Sequence, residues 1–245
     1  MKRLLLSKQP DSSTVALEGV LERSRQSFGS IVPFDLRKER LHVFDFSAAN
    51  QELQRINLSN TEEFNRYIRK TLDAHKATIG IGAYNEDRTI YRHSSLFVTP
   101  EGESRTVHLG IDVFLPIGTK VLAPLDGRIH SFQNNRGMGD NGPTIVLQHR
   151  LNNTAFHTLY SHLSEESLAS KSEGKAVKKG SAIAEVGNMR INGNWPPHLH
   201  FQIIKDMLGK KGDYFGVAAL SKRELFLELC PDPNLILGLS AVRSQ

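Results

Sequence analysis

Only one cysteine, Cys230, occurs among the 245 residues. That excludes an intrachain disulfide and a zinc site built on cysteines, so any metal must be held by histidine and carboxylate. Long apolar runs are missing too. No stretch of about 18 apolar residues occurs, which excludes a transmembrane helix. The N-terminal MKRLLLSKQPDSS has three leucines before polar residues resume, an apolar region too short for a secretory signal. The expected location is therefore the cytoplasm. Lys and Arg number 31 against 26 Asp and Glu. No dense basic stripe interleaved with aromatics accompanies this modest excess, so neither nucleic acid nor a membrane is an expected partner. What is present, 39% hydrophobic and 23% charged residues, fits a soluble globular chain of one large domain or two small ones.

The texture changes along the chain. Residues 1–30 are polar and loosely patterned, with a short helix expected near 15–25. Residues 31–95 read as a small α/β extension. LHVFDFS (41–47) is strand-like. Asn60 caps, with Glu63 three residues on, a helix predicted over Thr61–Ala77 from the spacing of Phe64, Tyr67, Ile68 and Leu72. ATIGIGAY (77–84) is a second strand. From residue 96 to 205, short β-rich runs alternate with Gly, Pro, Asp and Asn turns: VHLGIDVFL, TKVLAPLDGRIHSF, PTIVLQH, AFHTLYSHL, SAIAEVG and PHLHFQII. That pattern implies an antiparallel β domain. Residues 206–245 read as a charged loop, a helix over Ser221–Leu229 and a tail. The expected fold is mainly β, α+β overall.

The ligand-type residues cluster in the β-rich part. In NWPPHLHFQI (194–203), His198 and His200 stand two apart on a predicted strand, so they share a face with Gln202. Leu199, Phe201 and Ile203 take the opposite, core face. Pro196 and Pro197 suit the edge or the start of a strand. A lone H-x-H is equally readable as two ordinary polar-face histidines. His108 and Asp112 lie four apart in HLGID, about 13 Å in a straight strand. Gly110 between them can bend the chain and bring them together. Thr158, Tyr160 and His162 share a strand face, with His162 at its end. Together these stretches supply His, Asp and His for a metal plus two further histidines. Three protein ligands with an open fourth position is the pattern of a catalytic zinc. His42, His75, His93, His130, His149 and His157 lack such partners and read as structural. Asn192, Asn194 and Trp195 either line a substrate groove or form a turn around a packed tryptophan.

This set resembles the lysostaphin/LytM-type zinc metalloendopeptidases. Their motifs H-x-x-x-D, a later strand-end His and H-x-H occur here in order, at His108–Asp112, His162 and His198–His200. The segments 118–127 (GTKVLAPLDG) and 180–187 (GSAIAEVG) are also similar to that family. The likeness covers roughly residues 96–204. It implies an antiparallel β-sheet groove of the LytM-like, duplicated-hybrid-motif type and one Zn2+ per chain, held by His108, Asp112 and His200. It further implies His162 and His198 as catalytic histidines, and a peptide or peptidoglycan-fragment substrate bound near Asn194 and Trp195. No glutamate stands beside the ligands, unlike H-E-x-x-H enzymes, where that residue is the base. A histidine, with an unperturbed pKa of about 6.5, can either take or give the proton. The bulky segment 194–197 departs from the small Ser/Thr/Gly residues of wall-cutting members. Further stretches (105–112, 195–201 and 230–235) are similar to a version of the domain embedded in large bacterial proteins between a kinase-like phosphotransferase and an aminotransferase.

Two other classes compete. One is a metal-containing module that binds peptides or wall fragments without cutting them, for which His162 and His198 would be superfluous. The other is a biotinyl, lipoyl or phosphoryl carrier, suggested by APLDG (123–127). The Met-Lys turn of a lipoyl or biotinyl carrier is missing, since Arg190 follows Met189.

Overall fold

The computed structural model describes residues 16–93 and 95–242. The first 15 residues, including the start of the expected N-terminal helix, lie outside the described residues, as does the side chain of His93. The strands are β1 (Leu41–Phe44), β2 (Ile79–Gly82), β3 (Arg105–His108), β4 (Ile111–Phe114), β5 (Lys120–Leu122), β6 (Gly127–Asn135), β7 (Gly142–Leu151), β8 (Thr154–Ser161), β9 (Ala176–Val177), β10 (Ala182–Glu185), β11 (His198–Ile204) and β12 (Val217–Ala219). The helices are α1 (Leu17–Arg23), α2 (Thr61–Ala74), α3 (Arg223–Leu229) and α4 (Asn234–Leu237).

Eight strands form one sheet in the order β1-β2-β4-β11-β8-β7-β6-β9. Only β1 and β2 run parallel, so the fold is mainly β and mainly antiparallel. β10 pairs with β5, and β12 with β3, in two small sheets. Local chemistry sets the hairpins. β7 and β8 are joined by Asn152 and Asn153, both left-handed (φ 46° and 64°). Asn tolerates that region, and a two-residue loop of this hand matches the strand twist.

The central position of β11, between β4 and β8, explains its composition. All seven of its residues are buried. Leu199, Phe201 and Ile203 enter the main core, with Ile111, Val113 and Tyr160. His198, His200 and Gln202 face the other way: the two histidines line a cleft, and Gln202 is fully buried beside His200. The extension adds its two strands directly to the same sheet, β2 pairing with β4. Asn60 caps α2 by accepting from the N–H groups of Glu62 and Glu63. Phe64 and Ile68 of α2 then pack on Phe44, Phe46 and Phe114 beside the cleft.

Several expected elements differ in extent. HLGID is not one bent strand. β3 and β4 end and begin on either side of Leu109 and Gly110, and they belong to different sheets. α2 stops at Ala74 rather than Ala77: Lys76 turns left-handed (φ 52°), and Thr78 donates to the Arg40 carbonyl to start β2. The helix expected over 221–229 begins as a 3-10 turn (Leu220–Lys222) before α3. β9 and β12, of two and three residues, were too short to read from periodicity.

Candidate metal centre

The break at Leu109–Gly110 brings together what a straight strand would hold apart. His108 leaves the end of β3 and Asp112 sits on β4, yet His108 Nε2 lies 3.2 Å from Asp112 Oδ1. β11 pairs His200 directly with Asp112. His200 Nδ1 lies 3.0 Å from the same Oδ1 and 3.0 Å from His108 Nε2. Gly110 is required by close approach: a Cβ there would sit 2.5 Å from His200 Cε1. Among the described residues, His108, Asp112 and His200 are the only group of His, Cys, Asp or Glu placed to share one ion.

The hydrogen bonds behind these side chains decide where their protons are. His108 Nδ1–H donates to the Ala83 carbonyl at 2.8 Å, so its Nε2 carries a lone pair. Gln202 Nε2 donates to the Phe215 carbonyl (3.1 Å) and to Cys230 Sγ (3.2 Å), which turns its Oε1 toward His200. His200 Nε2–H donates to that oxygen at 3.0 Å, leaving Nδ1 with a lone pair. Three proton-free atoms therefore converge: two imidazole nitrogens and a carboxylate oxygen. Lone pairs aimed at one another are repulsive unless a cation lies between them. This donor set, each histidine anchored through its other nitrogen, fits a zinc ion.

Arg88 completes the charge balance. Its guanidinium is only 3% exposed. It donates from Nη1 to Asp112 Oδ2 at 2.5 Å and from Nε to Glu86 Oε2 at 2.9 Å. Burial pushes the Asp112 carboxyl up, but the buried Arg88 guanidinium beside it overcomes this and holds it well below the usual carboxylate range. Burial, reinforced by Arg88, pushes His108 down to about 4, so it is neutral near pH 7.

His162 and His198 stand side by side next to this group, ring centroids 4.3 Å apart. His162 follows β8 in a left-handed conformation (φ 63°), uncommon for a residue with a side chain. Its Nδ1–H donates to the Asn192 carbonyl at 2.7 Å. His198 Nδ1–H donates to the Pro196 carbonyl at 2.7 Å. Both Nε2 atoms are thus left as acceptors, that of His198 3.7 Å from Asp112 Oδ1. Burial lowers the pKa of both, and the neighbouring histidines lower His162 further. The pair is neutral and able to accept a proton.

Trp195 lines the same cleft, and Asn192 holds its loop: the Trp195 N–H donates to Asn192 Oδ1, and Asn192 Nδ2 donates to the Trp195 carbonyl, both at 3.0 Å. Asn194 is exposed, and its carbonyl accepts from Thr61 Oγ1 at 2.6 Å. His42 and His75 contact each other with tilted rings (4.1 Å) and His130 contacts His157 (4.9 Å), outside the cluster. His149 is anchored to the Asp126 carbonyl and Thr158. Sequence reasoning missed Arg88 and the Ala83 carbonyl, which carry no local signal. It placed Gln202 on the histidine face without a role, although the i+2 spacing from His200 was a usable clue.

Residues 106–213 match the family model described as peptidase family M23. That segment is an M23 peptidase domain. A Haemophilus influenzae protein described as an uncharacterized metalloprotease is 35% identical over 95 residues, 39% of this chain and 18% of that one. The Vibrio cholerae peptidoglycan DD-endopeptidase ShyA is 36% identical over 98 residues, 40% of this chain and 20% of its own length. The chain thus matches about a fifth of each of these curated relatives. A crystal structure of a zinc-containing peptidase from Vibrio cholerae is 30% identical, covering 43% of this chain and 29% of that one, with a TM-score of 0.33. His108, Asp112, His162, His198 and His200 all fall inside the M23 domain. Arg88, Ala83, Phe215 and Cys230, which brace them, lie outside the matched segment.

Proposed function

We propose that this chain is a zinc-dependent metallopeptidase that hydrolyses a peptide bond. In this reading His108, Asp112 and His200 hold one zinc ion, and His162 and His198 are the catalytic residues. The convergence of three proton-free donor atoms, each fixed by a hydrogen bond behind it, carries the reading. When bound, zinc acidifies water and polarises a carbonyl, making an attacking oxygen available at neutral pH.

The chain's own residues supply the proton handling. A neutral histidine of the pair takes the proton of the attacking water through Nε2. The other, once protonated, donates to the developing oxyanion or to the leaving amine. Their Nδ1–H bonds to Asn192 and Pro196 hold the rings with Nε2 facing the cleft. The buried Arg88 neutralises the second oxygen of Asp112, so one carboxylate oxygen is left for the ion. Trp195 and Asn194 form the adjoining wall for substrate. Peptides are the substrate class, and muropeptides are tested beside them because a relative over 98 residues is a peptidoglycan endopeptidase.

Metal analysis of the chain purified without chelators, beside His200→Ala, tests the ligand set. About one zinc per chain, lost in the variant, is expected. His162→Ala keeps the metal and loses roughly 10²–10⁴-fold in hydrolysis of peptides or muropeptides. A His162→Ala protein that cuts as fast as wild type would sink the catalytic assignment.

A further inference from the structure

A second cavity, of about 280 Å³, opens beside the metal centre. Its apolar wall is made by Leu58, Phe64, Ile90, Phe97, Met138 and Trp195, and no formally charged side chain lines it. Phe64, Ile90, Phe97 and Trp195 also line the cleft that holds His162, His198 and His200, so the two spaces share a wall. The cleft itself is charged in both signs, with Arg105 and Lys210 on its lining as well as Asp140 and Asp213.

Distance ties the cavity to the chemistry. The Trp195 ring lies 6.4 Å from the His162 ring. Residues of an extended peptide are about 3.3 Å apart. A side chain one or two places from a bond held at His162 therefore reaches Trp195. The wall is also preformed. Trp195 packs against Tyr91 and Phe97 at 6.0 and 6.4 Å. Asn192 holds its backbone, and Thr61 of α2 holds the preceding residue. The volume falls just under the ~300–1,000 Å³ of pockets for drug-sized ligands and suits a single large side chain. Ser59, Thr61 and Asn194 add only uncharged polar groups to its lining, so a charged substrate side chain finds no partner of opposite sign there.

We propose that this cavity is a specificity subsite. It receives one bulky apolar side chain, aromatic or branched aliphatic, from the substrate peptide within two residues of the scissile bond. The inference rests on the hydrolytic reading of the neighbouring centre.

Trp195 is the only tryptophan in the chain, so its fluorescence reports binding without any need for turnover. The probes are acetylated, amidated tetra-alanine and the four peptides carrying a single phenylalanine in place of one alanine, titrated into the full zinc-loaded chain. At least one phenylalanine peptide is expected to bind roughly tenfold or more tighter than tetra-alanine. Met138→Asp, at a position 78% exposed, should erase that advantage and leave zinc affinity as in wild type. Equal binding of all five peptides, or a preference that persists in Met138→Asp, overturns the subsite. Binding with the preference but without cleavage would count against the hydrolytic reading and leave the subsite standing. Cleavage of all five with equal kcat/KM would do the reverse.

Discussion

Replacing Gln202 by leucine removes the group that fixes the tautomer of His200. Gln202 is fully buried, and its Oε1 is the acceptor for the His200 Nε2–H. Leucine has a similar bulk but offers no acceptor. The His200 proton then has no reason to stay on Nε2, and a proton on Nδ1 blocks the atom that faces Asp112 and His108. Loss of an outer partner of this kind costs about 10–100-fold in metal affinity, or about 1.4–2.7 kcal/mol. The same substitution leaves the Phe215 carbonyl without its donor, a folding cost of about 1–3 kcal/mol. Two assays separate the effects. Competition for zinc with a chromophoric chelator at fixed neutral pH reads the first, and urea unfolding of the metal-free protein reads the second. Gln202→Glu keeps an acceptor against His200 and should restore most of the zinc affinity without repairing the Phe215 contact. A folded Gln202→Leu protein that binds zinc within about twofold of wild type would refute the proton assignment.

Arg88→Met should destabilise the protein by about 3–5 kcal/mol in urea unfolding, because Asp112 and Glu86 both lose their buried cation; an unfolding midpoint near wild type would show that the pair is dispensable. Gly110→Ala places a methyl 2.5 Å from His200 Cε1 and 2.8 Å from the Phe201 carbonyl; a loss of about 1–3 kcal/mol and weaker zinc binding are expected, read by the same two assays. Acidification from pH ~6.5 toward 4 should weaken the metal-free fold. Burial pushes His108 and His149 down to about 4 in the folded state, whereas the unfolded chain protonates them near 6.5. The unfolded state thus binds more protons across that window, and stability falls with pH by up to about 1.4 kcal/mol per unit for each histidine. The carboxyls of Glu86, Asp140 and Asp232, which burial pushes up, offset part of this. A urea midpoint that does not move between neutral pH and 5 would contradict the sign.

Strand periodicity was enough to put His198 and His200 on one face and Leu199, Phe201 and Ile203 on the other, because side-chain alternation along a strand is a local property. The cap at Asn60 was legible for the same reason: its bonds reach only two and three residues along the chain. The grouping of His108, Asp112, His162, His198 and His200 followed from matching motifs, whose spacing carries the chemistry. Gly110 was read as a bend, but its need for a bare Cα comes from a ring 90 residues away. Arg88, Ala83, Phe215 and Cys230 could not be found in this way. Each acts across a gap of sequence on a side chain it meets only after the sheet has formed. Residue types and motif spacing are enough to say which side chains can bind a cation and move a proton. Which nitrogen of each histidine is free depends on the backbone carbonyl or the Gln202 amide that the fold brings up behind it, and no local pattern carries that.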